Sequence, residues 1–276
     1  MLVAMKNSPH AFPQPRTGAP RPVAQPPPPL RSLSPATAGA IGGQLLAGAG
    51  LVLQWIGEPA RFPGFPPGLV YIAAAAAIVW LDRRSPWSPV AAVVLSLWIV
   101  GGGLAGGNLT ANLASDTTLM VAGNAVMLLG LGTSTVAGAL AIRHNLRQRT
   151  APLVKPLSAE NPRRPAVWIV IAGLLADAIG DAAPEGLRWD GPGPAMFAAL
   201  AVLVALVPGR AIPLLCIPLS GAFILGVFIN PEPLAVLTNP GADALGFGGI
   251  VLQLAGLTTA MVASGVAAIP GARRNP

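Results

Sequence analysis

Eight apolar runs separated by short polar connections leave this chain few ways to fold. They cover Thr37–Ile56, Phe65–Leu81, Pro86–Gly106, Thr117–Ile142, Pro165–Asp181, Gly191–Val207, Ala211–Phe228 and Ala244–Ile269. Hydrocarbon offers no partner to a backbone N–H or C=O, so such runs must pair their own backbone as helices. They are also too continuous for the alternating strands of a membrane barrel. About 20 residues cross a bilayer. The uninterrupted apolar parts of the fifth and sixth runs are short for that task without flanking help. Only 10% of the 276 residues are charged, against about a quarter in soluble domains.

The charges orient the runs. The stretch AIRHNLRQRTAPLVKPLSAENPRRPAVW, residues 141–168, carries six Lys or Arg and the single acid Glu160. With the N-terminus inside and eight crossings, fifteen basic residues fall inside: Lys6, Arg16, Arg21, Arg31, Arg83, Arg84, Arg143, Arg147, Arg149, Lys155, Arg163, Arg164, Arg210, Arg273 and Arg274. Only Arg61 and Arg188 fall outside. This is the positive-inside pattern. Trp55 and Trp189 come at outer helix ends, and Trp80, Trp87 and Trp168 at inner ends, as interfacial anchors do. The basic residues lie in short loops between apolar blocks, so the net charge of +7 reads as orientation and contact with anionic lipid headgroups, not as a nucleic-acid surface.

The expected fold class is an all-α integral membrane protein with eight transmembrane helices, arranged as two tandem parallel four-helix repeats behind a disordered Pro-rich tail. The tail, residues 1–35, has too little apolar surface to offset chain entropy. The first repeat is 36–142, a basic linker 143–164, the second repeat 165–270 and a short C-terminal tail 271–276. The start, MLVAMKNSPHAF, lacks the apolar core of a signal peptide. Two alignments carry the repeat. PPGLVYIAAAAAIVWLDRRSP (66–86) lines up with GPAMFAALAVLVALVPGRAIP (193–213), and GNAVMLLGLGT (123–133) with GGIVLQLAGLT (248–258), which matches Gly123 to Gly248 and Thr133 to Thr258. An even number of crossings per half makes the repeats parallel.

The sequence holds no HExxH, Gly-x-Ser-x-Gly, Walker or CxxC motif. Of its two histidines, His10 lies in the tail and His144 in the basic stretch. Cys216, the only cysteine, reads as a small buried hydrophobe. Catalytic, cofactor and metal residues are accordingly expected to be none. Asp177 and Asp181 stand one helical turn apart. They form either a cation or proton site at the outer mouth or, as the simpler reading has it, a frayed and solvated helix end. Asn124, Thr133, Ser134 and Thr135 in the fourth run, and Gln253, Thr258, Thr259 and Ser264 in the eighth, either line a polar cavity on the axis between the halves or act as interhelical glue. The pairs Gly39/Gly43, Gly102/Gly106 and Gly103/Gly107 mark faces for close helix approach.

These features predict a non-enzymatic structural or accessory protein of a bacterial cytoplasmic membrane, both termini inside. Its expected partners are the bilayer, its anionic headgroups, and a second copy or another membrane protein. The alternative is a small-molecule permease or channel with a site between the halves. The excess of Arg over Lys with abundant Ala, Gly and Pro suggests the bacterial origin.

Overall fold

A computed structural model describes residues 33–62, 66–83, 85–149, 154–183 and 192–269. Residues 1–32 of the Pro-rich tail, Arg84, Arg188, Trp189, Glu185, Asp190 and the C-terminal tail expected from the sequence lie outside the described residues, while Pro35, expected as the tail's last residue, opens the first helix. Within them every element is helical: α1 (Pro35–Gly57), a short 3-10 turn (Pro59–Arg61), α2 (Gly68–Leu81), α3 (Val90–Ala105), α4 (Asn108–Leu113), α5 (Thr118–Arg147), α6 (Arg164–Ala182), α7 (Pro192–Leu206), α8 (Ala211–Ile229), α9 (Pro231–Thr238) and α10 (Ala244–Ala268).

All eight apolar runs are helices. Five of these, α1, α5, α6, α8 and α10, are long and apolar enough to cross a membrane. The fifth run, expected to be short, is α6 with 19 residues and belongs to that set. The shorter apolar helices are α2, α3 and α7. With 14 residues α2 rises about 21 Å, less than the roughly 30 Å of a bilayer core.

Three local features depart from the sequence reading. The fourth run does not stop at Ile142: α5 continues to Arg147, so Arg143, His144 and Arg147 sit on its last turns. Cations at a helix C-terminus oppose the negative end of its dipole, which favours the extension. Two short helices, α4 and α9, occupy connections expected to be plain loops.

The most intimate packing joins α1 to α5 and α6 to α10. Glycines seven residues apart bring the backbones together. A Cβ at Gly43 would lie 2.7 Å from the Gly130 carbonyl oxygen, and one at Gly50 would lie 2.6 Å from that of Gly123. In the second half a Cβ at Gly173 would meet the Gly256 oxygen at 2.7 Å, and one at Gly180 the Gly249 oxygen at 2.5 Å. Higher positions on one helix meet lower ones on the other, so each pair is antiparallel. Lipid gives no hydrophobic drive for association, and small residues that admit backbone contact are the usual substitute.

The glycine pairs read from the sequence are therefore corrected. Gly43 is at a crossing, but Gly102 has nothing within 4 Å of a built Cβ and Gly103 meets only the Leu109 side chain. Gly106 and Gly107 lie past the end of α3, where Gly107 takes φ 69° to start α4. Likewise Gly248 faces open space, and the crossing position belongs to Gly249.

The first half (α1–α5) meets the second (α6–α10) through α2 and α3 against α7 and α8. Phe197 of α7 stands edge-on to Trp98 of α3 at 5.7 Å and to Phe223 of α8 at 4.8 Å between ring centroids. Trp98 and Phe223 close the triangle at 6.4 Å. Phe197 is wholly buried.

Candidate functional site

Among the described residues, four polar constellations stand out once the apolar packing is set aside. The first ties the first half together. Gln44 Nε2 on α1 shares its two N–H groups among three acceptors, Ala92 O and Ser96 Oγ of α3 and Ser134 Oγ of α5, at 3.1, 3.0 and 2.9 Å. Ser134 Oγ in turn donates to Ala40 O at 3.0 Å. Ser134 is thus interhelical glue, and this network makes no opening.

The second is a cavity of about 190 Å³ under α4, with Gln54, Asn108, Asn112 and Asn124 among its lining. Asn124 is fully buried; its Nδ2 donates to Leu109 O at 3.3 Å, while its Oδ1 has no partner. Near the cavity Arg61 Nη1 donates to Asn112 Oδ1 at 2.9 Å and pairs with Glu58. Ser115 also donates to Glu58, and that hydrogen bond, with the arginine behind it, holds the carboxyl below its usual range.

The third is the acid pair. The frayed, solvated helix end is overturned for Asp177: its residue is fully buried, and neither carboxylate oxygen has a hydrogen-bond partner. It lies at the α6–α10 crossing, where a Cβ on Gly256 would come within 2.6 Å of its backbone nitrogen. Asp181, one turn on, is less buried and accepts from Gln253 Nε2 at 3.4 Å. The glycine-driven contact explains the burial: α10 presses its backbone over the turn that carries Asp177.

The fourth is at the other end of the seam between the halves. Arg210, at the start of α8, donates from Nε to Asp82 Oδ1 at 2.8 Å, just past the end of α2. Beside it lies a cavity of about 220 Å³ whose wall includes Ser85, Trp87, Arg149, Asn161, Arg163 and Gly209. Sequence reasoning saw these cations as loop charge and missed that they border a cavity. The signal available was the clustering of basic residues in one connection.

The polar axis between the halves is not formed. α5 packs on α1 and α3, and α10 on α6 and α8, with no substantial contact between α5 and α10. Thr133, Thr258 and Thr259 point away from the protein interior, and Thr135 bonds back to Leu131 O at 2.9 Å. Ser264 is buried, as is Cys216. His144 is exposed and pairs with Gln148, one turn along α5. Among the described residues no group of three or more His, Cys, Asp or Glu could hold a metal ion.

These features define an all-helical protein with several helices fit to cross a membrane. No protein-family model, curated protein or solved structure matches the chain.

Proposed function

We propose that this chain is a non-enzymatic structural or accessory component of a bacterial cytoplasmic membrane, built as a sealed bundle. The observation that carries the reading is the Trp98–Phe197–Phe223 triangle, which fills the seam where a permease of this design would need its path. The groove beside it, between α3 and α7, is lined by apolar residues such as Val94, Leu97 and Leu200.

The same proposal includes eight crossings with both termini inside, and two tandem repeats. In the repeats α1 to α5 correspond in order to α6 to α10, short α4 to short α9 included. The glycine crossings support that correspondence and shift its register: Gly123 and Gly130 match Gly249 and Gly256, as Gly43 and Gly50 match Gly173 and Gly180. The three shorter helices cross with the help of local thinning or flanking residues. Arg bias supports the bacterial assignment.

The permease reading keeps one supporting observation, the carboxamide-lined cavity with its unpartnered Asn124 oxygen. That cavity lies inside the first half, not between the halves. Single cysteines at Leu200 and Leu219 in a Cys216→Ser background decide between the two. Protection of both from a small membrane-impermeant maleimide, with Asn112→Cys labelled as control, fits the sealed bundle. Labelling at either would sink it in favour of a conduit.

A further inference from the structure

The basic connection between the halves does more than set orientation. Its residues close over the 220 Å³ cavity at the end of the seam, together with the turns that join α2 to α3 and α7 to α8. We propose that this cavity binds a phosphate group, carried by an anionic lipid or by free inorganic phosphate.

The chemistry of the wall is that of an anion site. Arg149 and Arg163 border it, Ser85 and Asn161 add hydrogen-bonding side chains, and no Asp or Glu is among the lining residues. Asp82, at the same seam, is engaged through Oδ1 by Arg210, and Glu160, beside Asn161 in the connection, is exposed. Arginine presents a fork of donors that matches phosphate oxygens. Asn161 fixes the approach: its Nδ2 donates to Pro156 O at 2.7 Å, and its Oδ1 accepts from the Arg163 backbone N–H at 3.1 Å. That turn delivers Arg163 to the cavity as the residue preceding α6.

Backbone polarity agrees in part. α6 and α8 both begin here, at Arg163 and Arg210, and neither start is capped by a side chain. Uncapped N-terminal N–H groups favour anions. The ends of α7 and α10, represented by Val204 and Ala267, also border the space and offset some of that field. Arg149 and Arg163 in the lining add positive charge to that mixed field. Gly209 completes the wall at φ 99°, a conformation that excludes most side chains, and a Cβ there would come to 3.2 Å from Ser85 Oγ. The Trp87 indole stands in the same wall.

This inference goes beyond the sealed-bundle reading and does not depend on it, since the cavity stands at the end of the seam and its ligand need not pass along it. Trp87 is the reporter. The full chain is labelled with 5-fluorotryptophan, placed in phosphatidylcholine nanodiscs and followed by ¹⁹F NMR, with the Trp87 resonance assigned by Trp87→Phe. Inorganic phosphate is titrated in one arm; in the other, phosphatidylglycerol replaces part of the phosphatidylcholine at constant ionic strength. A saturable shift of Trp87 with phosphate identifies the free ion. A shift with phosphatidylglycerol that added phosphate does not reproduce identifies the lipid. Either response should weaken about tenfold or more in Arg149→Gln/Arg163→Gln and persist in Arg61→Gln. No Trp87 shift in either arm, or one unchanged in the double variant, overturns the site.

Discussion

Arg210 and Asp82 form an ion pair of 2.8 Å that joins the start of α8 to the end of α2, with the arginine side chain 32% exposed and the aspartate 6%. It is a polar clasp on a seam that also holds the Trp98–Phe197–Phe223 triangle. Removing one partner leaves a charge that is nearly buried, which is more harmful than removing both. Arg210→Leu should therefore destabilise the detergent-solubilised chain more than the double variant Asp82→Asn/Arg210→Leu. Thermal unfolding of the three proteins measures the difference, and equal losses would deny the pair a role.

Burial raises the Asp82 carboxyl above its usual range, and Arg210 opposes that shift without cancelling it. A group raised in the folded state favours folding while protonated, so its contribution is full below the ordinary carboxylate pKa and is lost as pH rises through the raised value. Stability should fall with rising pH across that window, and Asp82→Asn should flatten this part of the profile. Arg210→Gln should carry the window further upward. Unfolding at a series of pH values under constant ionic strength tests both.

The glycine crossings make a sharper contrast. A methyl group at Gly50 would lie 2.3 Å from the Met127 nitrogen, whereas one at Gly42, on the same helix, meets nothing within 4 Å. Gly50→Ala should cost about 1–3 kcal/mol through overpacking. Gly42→Ala should be neutral, or gain up to about 1 kcal/mol from helix propensity. The same thermal assay separates them.

Asp177 tests whether an unpartnered buried acid has a structural use. A buried polar group without partners costs about 1–3 kcal/mol, so Asp177→Asn or Asp177→Leu should leave the fold as stable as the parent or more so. Asp177→Lys should prevent assembly, because a long cation cannot fit against the α10 backbone. A large loss of stability in Asp177→Asn would mean that the carboxyl makes an interaction essential to the bundle.

Phe197→Ala should cost about 3–5 kcal/mol, the usual range for emptying a buried aromatic position. It should also render Leu200→Cys reactive to the impermeant maleimide, since the ring lies between Trp98 and Phe223. Unchanged protection would mean that other residues close the seam.

Helix positions were the most legible part of this fold, because a run such as Ala211–Phe228 can satisfy its backbone in lipid in one way only, and α8 covers Ala211–Ile229. The partners of each helix were much less so. Fourth and eighth runs rich in Thr suggested a shared polar axis, yet Thr258 and Thr259 point outward, because glycine contact turns another face of α10 toward α6. A spacing of four residues drew attention to Gly102 and Gly106, while the working spacing is seven, visible in Gly43/Gly50 and Gly173/Gly180. Asp177 misled for a related reason: its distance from the end of the run suggested solvent, but the backbone of α10 covers it. The cavity beside Arg210 draws Ser85, the pair Arg149 and Arg163, and Gly209 from three different connections, and beyond the clustering of basic residues in one of them no local pattern announces such a meeting.

The order in which the helices are made gives the glycine crossings a further meaning. α1 emerges from the ribosome first in its half, but the backbone that covers its Gly43 and Gly50 belongs to α5, the last. The same separation holds between α6 and α10. Each half is thus left open along one helix until its final span arrives, and a nascent chain halted before α5 or α10 would present an uncovered glycine stripe to whatever assists or degrades unfinished membrane proteins.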